Sequence, residues 1–524
     1  MAEERDAGSK PFYVTTPIYY VNDVPHIGHA YTTLSCDVLA RFKRLDGFDV
    51  HFLTGTDEHG QKVETASQVA GMTPQAFVDK VSGNFRDLAA AMNISNDDFI
   101  RTTEDRHTAA CQQLWRELAA RDEIYLGSYA GWYAVRDEAY YAEGELVDGP
   151  EGKKLAPSGA EVEWVEEPSY FFRLSAWQDR LLALYEDNPD FIGPDSRRNE
   201  VISFVKGGLF DLSVSRTSFA WGVPVPDDPA HVMYVWIDAL TNYITAAGYP
   251  DTDCALYRRF WPADLHMIGK DIIRFHAVYW PAFLMAAGLE PPKRVFAHGW
   301  WTNEGQKISK SVGNIIDPYD LFDRYGVDQT RYFLMREVPF GNDGDFSRRA
   351  IASRINSDLA NDLGNLAQRV LSMIGKNCGA AVPQPAAFSA DDDALLASAH
   401  GLLDTVRPLF DAQAFHKALE AIWAVIGDAN RYVDTQAPWT LRKTDPERMA
   451  TVLYALAETI RHLAILVQPI MPESCARLLD QLAVEEGARG FGDLGPAGAL
   501  RPGTALPKPE GVFPRYIEEE GEEG

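Results

Sequence analysis

Cysteine is scarce in this chain: five residues in 524, Cys36, Cys111, Cys254, Cys378 and Cys475, all far apart. No C-x-x-C pair exists, so the sequence offers neither a disulfide framework nor a thiolate knuckle, and a reducing cytoplasm is expected. Positive charge is also short. Forty-nine Lys and Arg stand against 76 Asp and Glu, a formal net charge of -27. That balance excludes indiscriminate binding to nucleic acid, which depends on cations neutralising phosphates; any RNA contact must be local. The acidic runs Glu161, Glu163, Glu166, Glu167 and Glu518, Glu519, Glu520, Glu522, Glu523 read as solvated surface. No run of about 18 apolar residues is present to cross a membrane, and the first twelve residues lack an apolar signal core. A soluble protein that is not exported and meets no membrane is expected. Internal repeats are absent too.

What is present is ordinary globular material, 46% hydrophobic and 24% charged, in a length that predicts about three domains. Residues 12–15 read as a buried strand. From Gly28 to Leu45 the apolar positions Leu34, Val38, Phe42 and Leu45 recur at helical spacing, Gly47 is a stop, and 50–54 is a second strand. This β-α-β grammar returns with a strand at 265–268, a helix over 272–284, Gly288 as stop and a strand at 294–297. The fold class is therefore α/β, a parallel sheet in two separated halves, with ligands expected beyond the carboxyl ends of the strands. Between the halves lies a Gly-rich, aromatic stretch with short alternating runs, 131–135 and 162–165, read as an insertion. Residues 350–482 carry helical periodicity with few breakers, and 483–524 is Gly- and Pro-rich irregular chain. The predicted boundaries are 1–119 and 231–349 for the two halves, 120–230 for the insertion, 350–482 for a helical bundle and 483–524 for the terminal segment.

His26-Ile27-Gly28-His29 falls where the first strand ends and the helix begins. Backbone N–H groups and the helix dipole there favour an anion, Gly28 admits close approach of a flat group, and two imidazoles can donate to developing charge on a phosphate. H-x-G-H is expected about 0.02 times by chance in this composition. Taken alone, it also fits two histidines capping a helix. Lys307-Ile308-Ser309-Lys310-Ser311 follows the turn Asn303-Glu304-Gly305 and precedes Gly313. By itself this is a solvated basic loop. At the far end of the same split sheet, its two ammonium groups can close onto β- and γ-phosphates and stabilise departing pyrophosphate.

Together these two runs resemble the HIGH and KMSKS signatures of the class I aminoacyl-tRNA synthetases, with Ile308 in place of the usual Met. The resemblance implies a Rossmann-like catalytic domain split by a connective insertion and followed by a helical anticodon-binding bundle. It also implies amino acid activation by ATP, with magnesium, followed by transfer to the terminal adenosine of tRNA. His26, His29, Lys307 and Lys310 then take the catalytic positions, and Pro25, Gly28, Ser309 and Ser311 the ATP-binding ones.

The amino acid is implied by other blocks. Pro17-Ile18-Tyr19-Tyr20-Val21-Asn22, Gly55-Thr56-Asp57-Glu58-His59-Gly60, Val235-Trp236-Ile237-Asp238-Ala239 and Gly269-Lys270-Asp271-Ile272 are similar, in order, to those of the methionyl-tRNA synthetase family. The positions matching Ile18, Tyr20, Asp57, Trp236, Ala239, Tyr243, Phe275, His276 and Trp280 line or support the methionine pocket in that family. A carboxylate suits the substrate ammonium and aromatic rings suit a polarizable thioether. Without the resemblance, Trp236, Tyr243, Phe275 and Trp280 read equally well as core aromatics, and Asp57 as a helix cap. In the helical region Asn365-Leu366-Ala367-Gln368-Arg369 and Gln436-Ala437-Pro438-Trp439 resemble the family's anticodon-reading elements, accompanied by Asn430 and Asp434. Asn365 and Arg369 share a helix face, and Trp439 offers a ring to an unstacked base.

The chain departs from many family members at the zinc knuckle. Where the first C-x-x-C is expected stands Ala134-Val135-Arg136-Asp137. Zinc needs about four N or S ligands, so no structural zinc is expected. Leu506-Pro507-Lys508-Pro509 through Phe513-Pro514-Arg515 resembles a family terminus, with no appended dimerisation domain, and a monomer acting on initiator and other methionine tRNAs is expected. Synthetases for leucine, isoleucine or valine usually carry a larger editing insertion, and those for cysteine select with zinc. A nucleotidyltransferase, or a tRNA-binding protein with an inactive catalytic fold, are the remaining alternatives.

Overall fold

The computed structural model describes residues 8–21, 25–136, 139–141, 143–308 and 314–518. Its centre is a seven-stranded sheet made of β1 (Pro11–Thr15), β2 (Tyr19–Tyr20), β3 (Asp49–Asp57), β4 (Asp98–Arg101), β5 (Ile192–Gly193), β6 (Leu265–Gly269) and β7 (Val295–His298). The spatial order is β5-β7-β6-β1-β3-β2, with β4 also on β3, and every pairing is parallel. Parallel strands are covered on both faces, which is why β3, β6 and β7 read as near-continuous buried runs and not as alternating ones.

Helix α1 (Ile27–Leu45) crosses from β1 to β3, and Gly47, at φ +83°, turns the chain after it. The chain leaves β1 towards β3 on one side, while β6 lies on the other. The strand order therefore reverses at β1, and a crevice opens outside the carboxyl ends of β1 and β6. Helices α2 (Asp105–Ala120) and α3 (Val235–Ala247) pack beside the sheet, and Gly248, at φ +111°, ends α3.

Two segments differ from the sequence expectation. The helix predicted over 272–284 is a 3-10 turn Lys270–Ile272, a π-helical turn Phe275–Tyr279 and an α-helix Trp280–Ala287. Hydrophobic periodicity cannot register the extra residue of a π turn, a feature that concentrates at functional sites. The stretch 120–230 holds the antiparallel strands Ile124–Ala134, Ala139–Tyr141, Glu163–Phe172 and Leu212–Ser213. It also contributes β5 to the edge of the main sheet, where Ile192 pairs with Val295.

Beyond the sheet, helix α4 (Val327–Arg336) leads into a helical region containing α5 (Asn365–Asn377), α6 (Phe415–Gln436) and α7 (Pro446–Val467). Helix α7 is long and apolar enough to cross a membrane by length and composition, yet almost all of it is buried inside the protein. Its polar residues hold the terminal segment: Glu458 Oε2 accepts from Leu500 N at 3.0 Å, and Arg461 Nη1 donates to Asp493 O at 2.8 Å. One apolar core runs from α1 through α4 into this bundle, and a second lies under α2, α3 and β6.

Candidate active site

The crevice at the switch point holds a cavity of about 530 Å³. Pro17, Ile18 and Tyr20 enter it after β1, Asp57 from the end of β3, Trp236, Ala239 and Tyr243 from α3, Gly269 from the end of β6, and Asp271 and His276 from beyond it. Tyr20 and Asp57 are direct partners in the β2–β3 pairing. His26, Gly28 and His29 close one end. A second cavity of about 370 Å³ shares His26, Gly28, His298 and Trp300 and extends to Tyr31, Trp301, Ile308 and Ile315.

The two histidines of the signature are held by the backbone. His26 is the N-cap of α1 and its Nδ1 accepts from Gly28 N at 3.0 Å; His29 Nδ1 accepts from His26 N at 3.1 Å. A ring nitrogen that accepts leaves the proton on the other, so both neutral imidazoles carry Nε2–H donors. Burial pushes both pKa values below the ordinary histidine value, well below it for His29, where neighbouring His26 adds to the effect. The pair is thus a neutral double donor at a helix N-terminus, suited to phosphate oxygens without proton exchange. A side chain at Gly28 would displace the His26 ring from its cap: a Cβ would lie 2.9 Å from His26 Cε1.

In the other half of the cavity the polar groups are fixed as firmly. His276 Nδ1 donates to Ile272 O at 2.9 Å, so Nε2 accepts, and Tyr243 OH donates to it at 2.7 Å. Burial lowers the His276 pKa to about 4. The Trp236 ring stacks on Phe275 with centroids 3.3 Å apart and planes 11° off parallel. Lys62 Nζ sits 5.5 Å from the Tyr20 ring centre.

The sequence-derived residues divide as follows. Ile18, Tyr20, His26, Gly28, His29, Asp57, Trp236, Ala239, Tyr243 and His276 share one cavity wall. Phe275 and Trp280 are not on it. Phe275 backs Trp236, and Trp280 is wholly buried, donating from Nε1 to His266 Nε2 at 3.3 Å. Pro25 is buried beside the signature but lines neither cavity. Ser309, Lys310 and Ser311 lie outside the described residues, as do Asn22 and Asp137, and of Lys307 only the backbone is described, in the short strand Gln306–Lys307. Sequence reasoning missed Asp271, His298 and Trp300, although His298-Gly299-Trp300 directly follows a predicted strand end. Trp300 Nε1 donates to Asp271 Oδ1 at 3.1 Å, and His298 Nε2 lies 2.7 Å from Thr32 Oγ1.

Asn365 is exposed at the start of α5. Four residues on, Arg369 Nη2 donates to Asp434 Oδ1 at 2.7 Å and its guanidinium lies 5.5 Å from the Trp439 ring centre. Trp439 is 45% exposed. Asn430 Nδ2 donates to Asp362 O at 3.1 Å, so this side chain ties α6 to the turn before α5.

Among the described residues, two groups of His, Cys, Asp or Glu are close enough to share a metal ion, His107–Cys111–Asp238 and His400–Glu458–His462. Neither lies on the cavity wall.

The chain matches the family described as "tRNA synthetases class I (M)" over residues 12–371 and the "anticodon binding domain of methionyl tRNA ligase" over 382–524. It is 60% identical to the methionine–tRNA ligase of Mesorhizobium japonicum, across 97% of this chain and 98% of that protein. With the methionine–tRNA ligase of Mycobacterium tuberculosis it shares 59% identity over 98% and 100% of the two chains. The structure of M. tuberculosis methionyl-tRNA synthetase in complex with methionyl-adenylate superposes with a TM-score of 0.94 at 59% identity, covering 97% of this chain and all of that one. The apo, free-state structure of that enzyme gives a TM-score of 0.90 at 55% identity, over 98% and 100%.

Proposed function

Because the chain belongs to the class I tRNA synthetases specific for methionine, we propose an assignment of that family's chemistry to its residues. The enzyme activates L-methionine with ATP, giving methionyl adenylate and pyrophosphate, and transfers methionine to the terminal adenosine of tRNA(Met). The single observation that carries the assignment is the joining of two chemically different halves in one cavity. One end has backbone and Nε2 donors for phosphate, and the other an acidic residue and aromatic walls.

In this reading the carboxylate of methionine attacks the α-phosphorus, and the charge that grows on the phosphate oxygens meets the Nε2–H groups of His26 and His29 and the start of α1. Lys307 and Lys310 neutralise the departing pyrophosphate, while Pro25, Gly28, Ser309 and Ser311 take the ATP-binding positions. The adenosine takes the second cavity beside Gly28, His298 and Ile308. Asp57 receives the substrate ammonium, and Tyr20, Trp236, Ala239, Tyr243 and His276, lining the same cavity, enclose the thioether with Ile18. Phe275 and Trp280 support this wall from outside it. Magnesium would enter with ATP as part of the substrate, where it would screen the phosphate charge.

Asn365, Arg369, Asn430, Asp434 and Trp439 form the anticodon face, with Trp439 as stacking platform. We assign residues 1–119 and 231–349 to the catalytic domain, 120–230 to a zinc-free insertion, 350–482 to the anticodon-binding bundle and 483–524 to the terminal segment. The absence of any cysteine between Cys111 and Cys254 supports the zinc-free reading. Five free cysteines support a reducing, cytoplasmic setting, and we propose a monomer that charges initiator and elongator tRNA alike. Pyrophosphate exchange driven by methionine and not by leucine is expected; exchange driven by leucine alone would overturn the assignment, as would full methionine charging by His29→Ala.

A further inference from the structure

Beneath the cavity lies a buried carboxylate that the reaction does not use. Asp238, in the first turn of α3, is 1% exposed and accepts two hydrogen bonds from distant segments. His59 Nδ1 donates to Oδ2 at 2.7 Å, and His107 Nε2 donates to Oδ1 at 2.8 Å. Burial alone would raise the carboxyl pKa, but His59 and His107 hold it well below the usual carboxylate range. Both donors are themselves buried, His107 completely.

None of the three is on the cavity wall, yet chain neighbours of His59 and Asp238 are. Asp57 stands two residues before His59, Trp236 two before Asp238 and Ala239 one after it. Residues 235, 236, 239, 240, 242 and 243 face the cavity, so Asp238 points to the other side of the same helix. His59 is clamped independently of Asp238: Trp221 Nε1 donates to Glu58 O at 2.6 Å, and Gly60 N donates to Trp221 O at 3.0 Å. The carboxylate thus joins the chain leaving β3, the helix α2 and the first turn of α3. A buried carboxylate is costly unless hydrogen-bonded, and packed apolar residues often do as well for stability alone. What an apolar cluster does not provide is a fixed distance and angle between three segments.

We propose that His59, Asp238 and His107 are positioning residues that set the placement of Asp57 relative to Trp236 and Ala239, and thereby the affinity for methionine without affecting that for ATP. This rests on the assignment of Asp57, Trp236 and Ala239 to the methionine pocket. The test is steady-state pyrophosphate exchange by the full chain. His59→Ala and His107→Leu are expected to raise KM for methionine about 10-fold, the scale of one charge-assisted hydrogen bond, and to leave KM for ATP within about 2-fold. His59→Asn puts an amide N–H near the Nδ1 position and His107→Gln near Nε2; both should bring KM for methionine back to within about 3-fold of the parent. A purely structural role predicts instead a lower kcat with both KM values unchanged, and that result overturns the proposal. If His59→Ala or His107→Leu does not fold, His59→Phe removes the donor while keeping ring volume against Trp221, and an unchanged KM for methionine in that variant also overturns it. Asp57→Asn separates the two claims. No rise in its KM for methionine defeats the pocket assignment, whereas a rise there with none in His59→Phe defeats only the positioning role.

Discussion

Asp37 and Arg331 are 294 residues apart in the chain and meet at 2.7 Å, both side chains wholly buried. Asp37 belongs to α1, the helix whose first turn carries His26 and His29, and Arg331 to α4. The guanidinium also donates to Met92 O at 3.0 Å, Ile470 O at 2.8 Å and Pro469 O at 2.9 Å, while Asp37 accepts from Ser95 N and Oγ and from Arg41. The ion pair therefore fastens the signature helix to α4, and the same guanidinium ties both to the chain just beyond α7. Arg331→Met leaves a buried carboxylate and three carbonyls short of a donor, and should cost about 3–5 kcal/mol in unfolding free energy. Urea denaturation with the slope unchanged checks it; a loss below about 1 kcal/mol would show that the site relaxes or admits water.

His29 is expected to act through Nε2–H and not through proton transfer. His29→Ala should slow pyrophosphate exchange about 10²–10³-fold, the scale of losing one donor to a developing oxyanion. His29→Gln, whose amide nitrogen reaches near the Nε2 position, should recover part of that. Burial keeps the imidazole neutral with its pKa well below 6.5, so the effect of His29→Ala should be the same at pH 6.5 and pH 8. A pH-dependent difference over that range would point to acid–base work.

Gly28 gives a steric test of the same turn. Gly28→Ala places a methyl group 2.9 Å from His26 Cε1, so the His26 ring must swing away from its cap. A fall in exchange rate with the unfolding midpoint little changed is expected, and thermal denaturation beside the kinetic assay decides it.

The parts of this molecule legible in its sequence are those governed by short-range rules. The strand and helix around His26 follow from apolar periodicity and from Gly47 as a stop, and the second β-α-β unit is marked the same way up to Gly288. What periodicity cannot carry is a residue's neighbour across the fold. Trp280 stands four residues after His276, the α-helical spacing of one face, but the π turn at Phe275–Tyr279 intervenes, and of Phe275, His276 and Trp280 only His276 reaches the cavity wall. Asp238 lies inside a block singled out in the sequence, and nothing local announces that two histidines, 179 and 131 residues away, converge on it. The edge strand Ile192–Gly193 is only two residues long, too short for any alternation to register.

Acid sensitivity follows from His276. Its pKa falls from 6.5 to about 4 on folding, with burial the largest cause. A histidine with a depressed folded-state pKa binds fewer protons when folded, so its stabilising effect is complete above 6.5 and is lost as pH falls from 6.5 towards 4. Between pH 7 and pH 5 this single group should remove about 2 kcal/mol. His276→Gln has no titrating group, so its loss of stability over that interval should be smaller than the parent's by about that amount. Denaturant midpoints at the two pH values measure it, and equal losses in parent and variant would contradict the neutral, doubly bonded imidazole.

The proposed anticodon face is expected to separate tRNA recognition from activation. Trp439 is 45% exposed, and Arg369 lies over its ring while pairing with Asp434. An aromatic ring held from behind by a cation, and open to solvent, is a stacking surface for an unpaired base, and one such stack is worth about 1–3 kcal/mol. Trp439→Ala should therefore lower kcat/KM for tRNA charging about 5- to 150-fold. The active-site cavity contains no residue of this face, so methionine-dependent pyrophosphate exchange in the absence of tRNA should keep the parent rate. Arg369→Ala frees both Asp434 and the ring, and should weaken charging through tRNA KM more than through kcat. If Trp439→Ala slows exchange and charging equally, the ring is acting as a structural prop of the bundle and the base-stacking role fails; if charging falls alone, the face reads the anticodon.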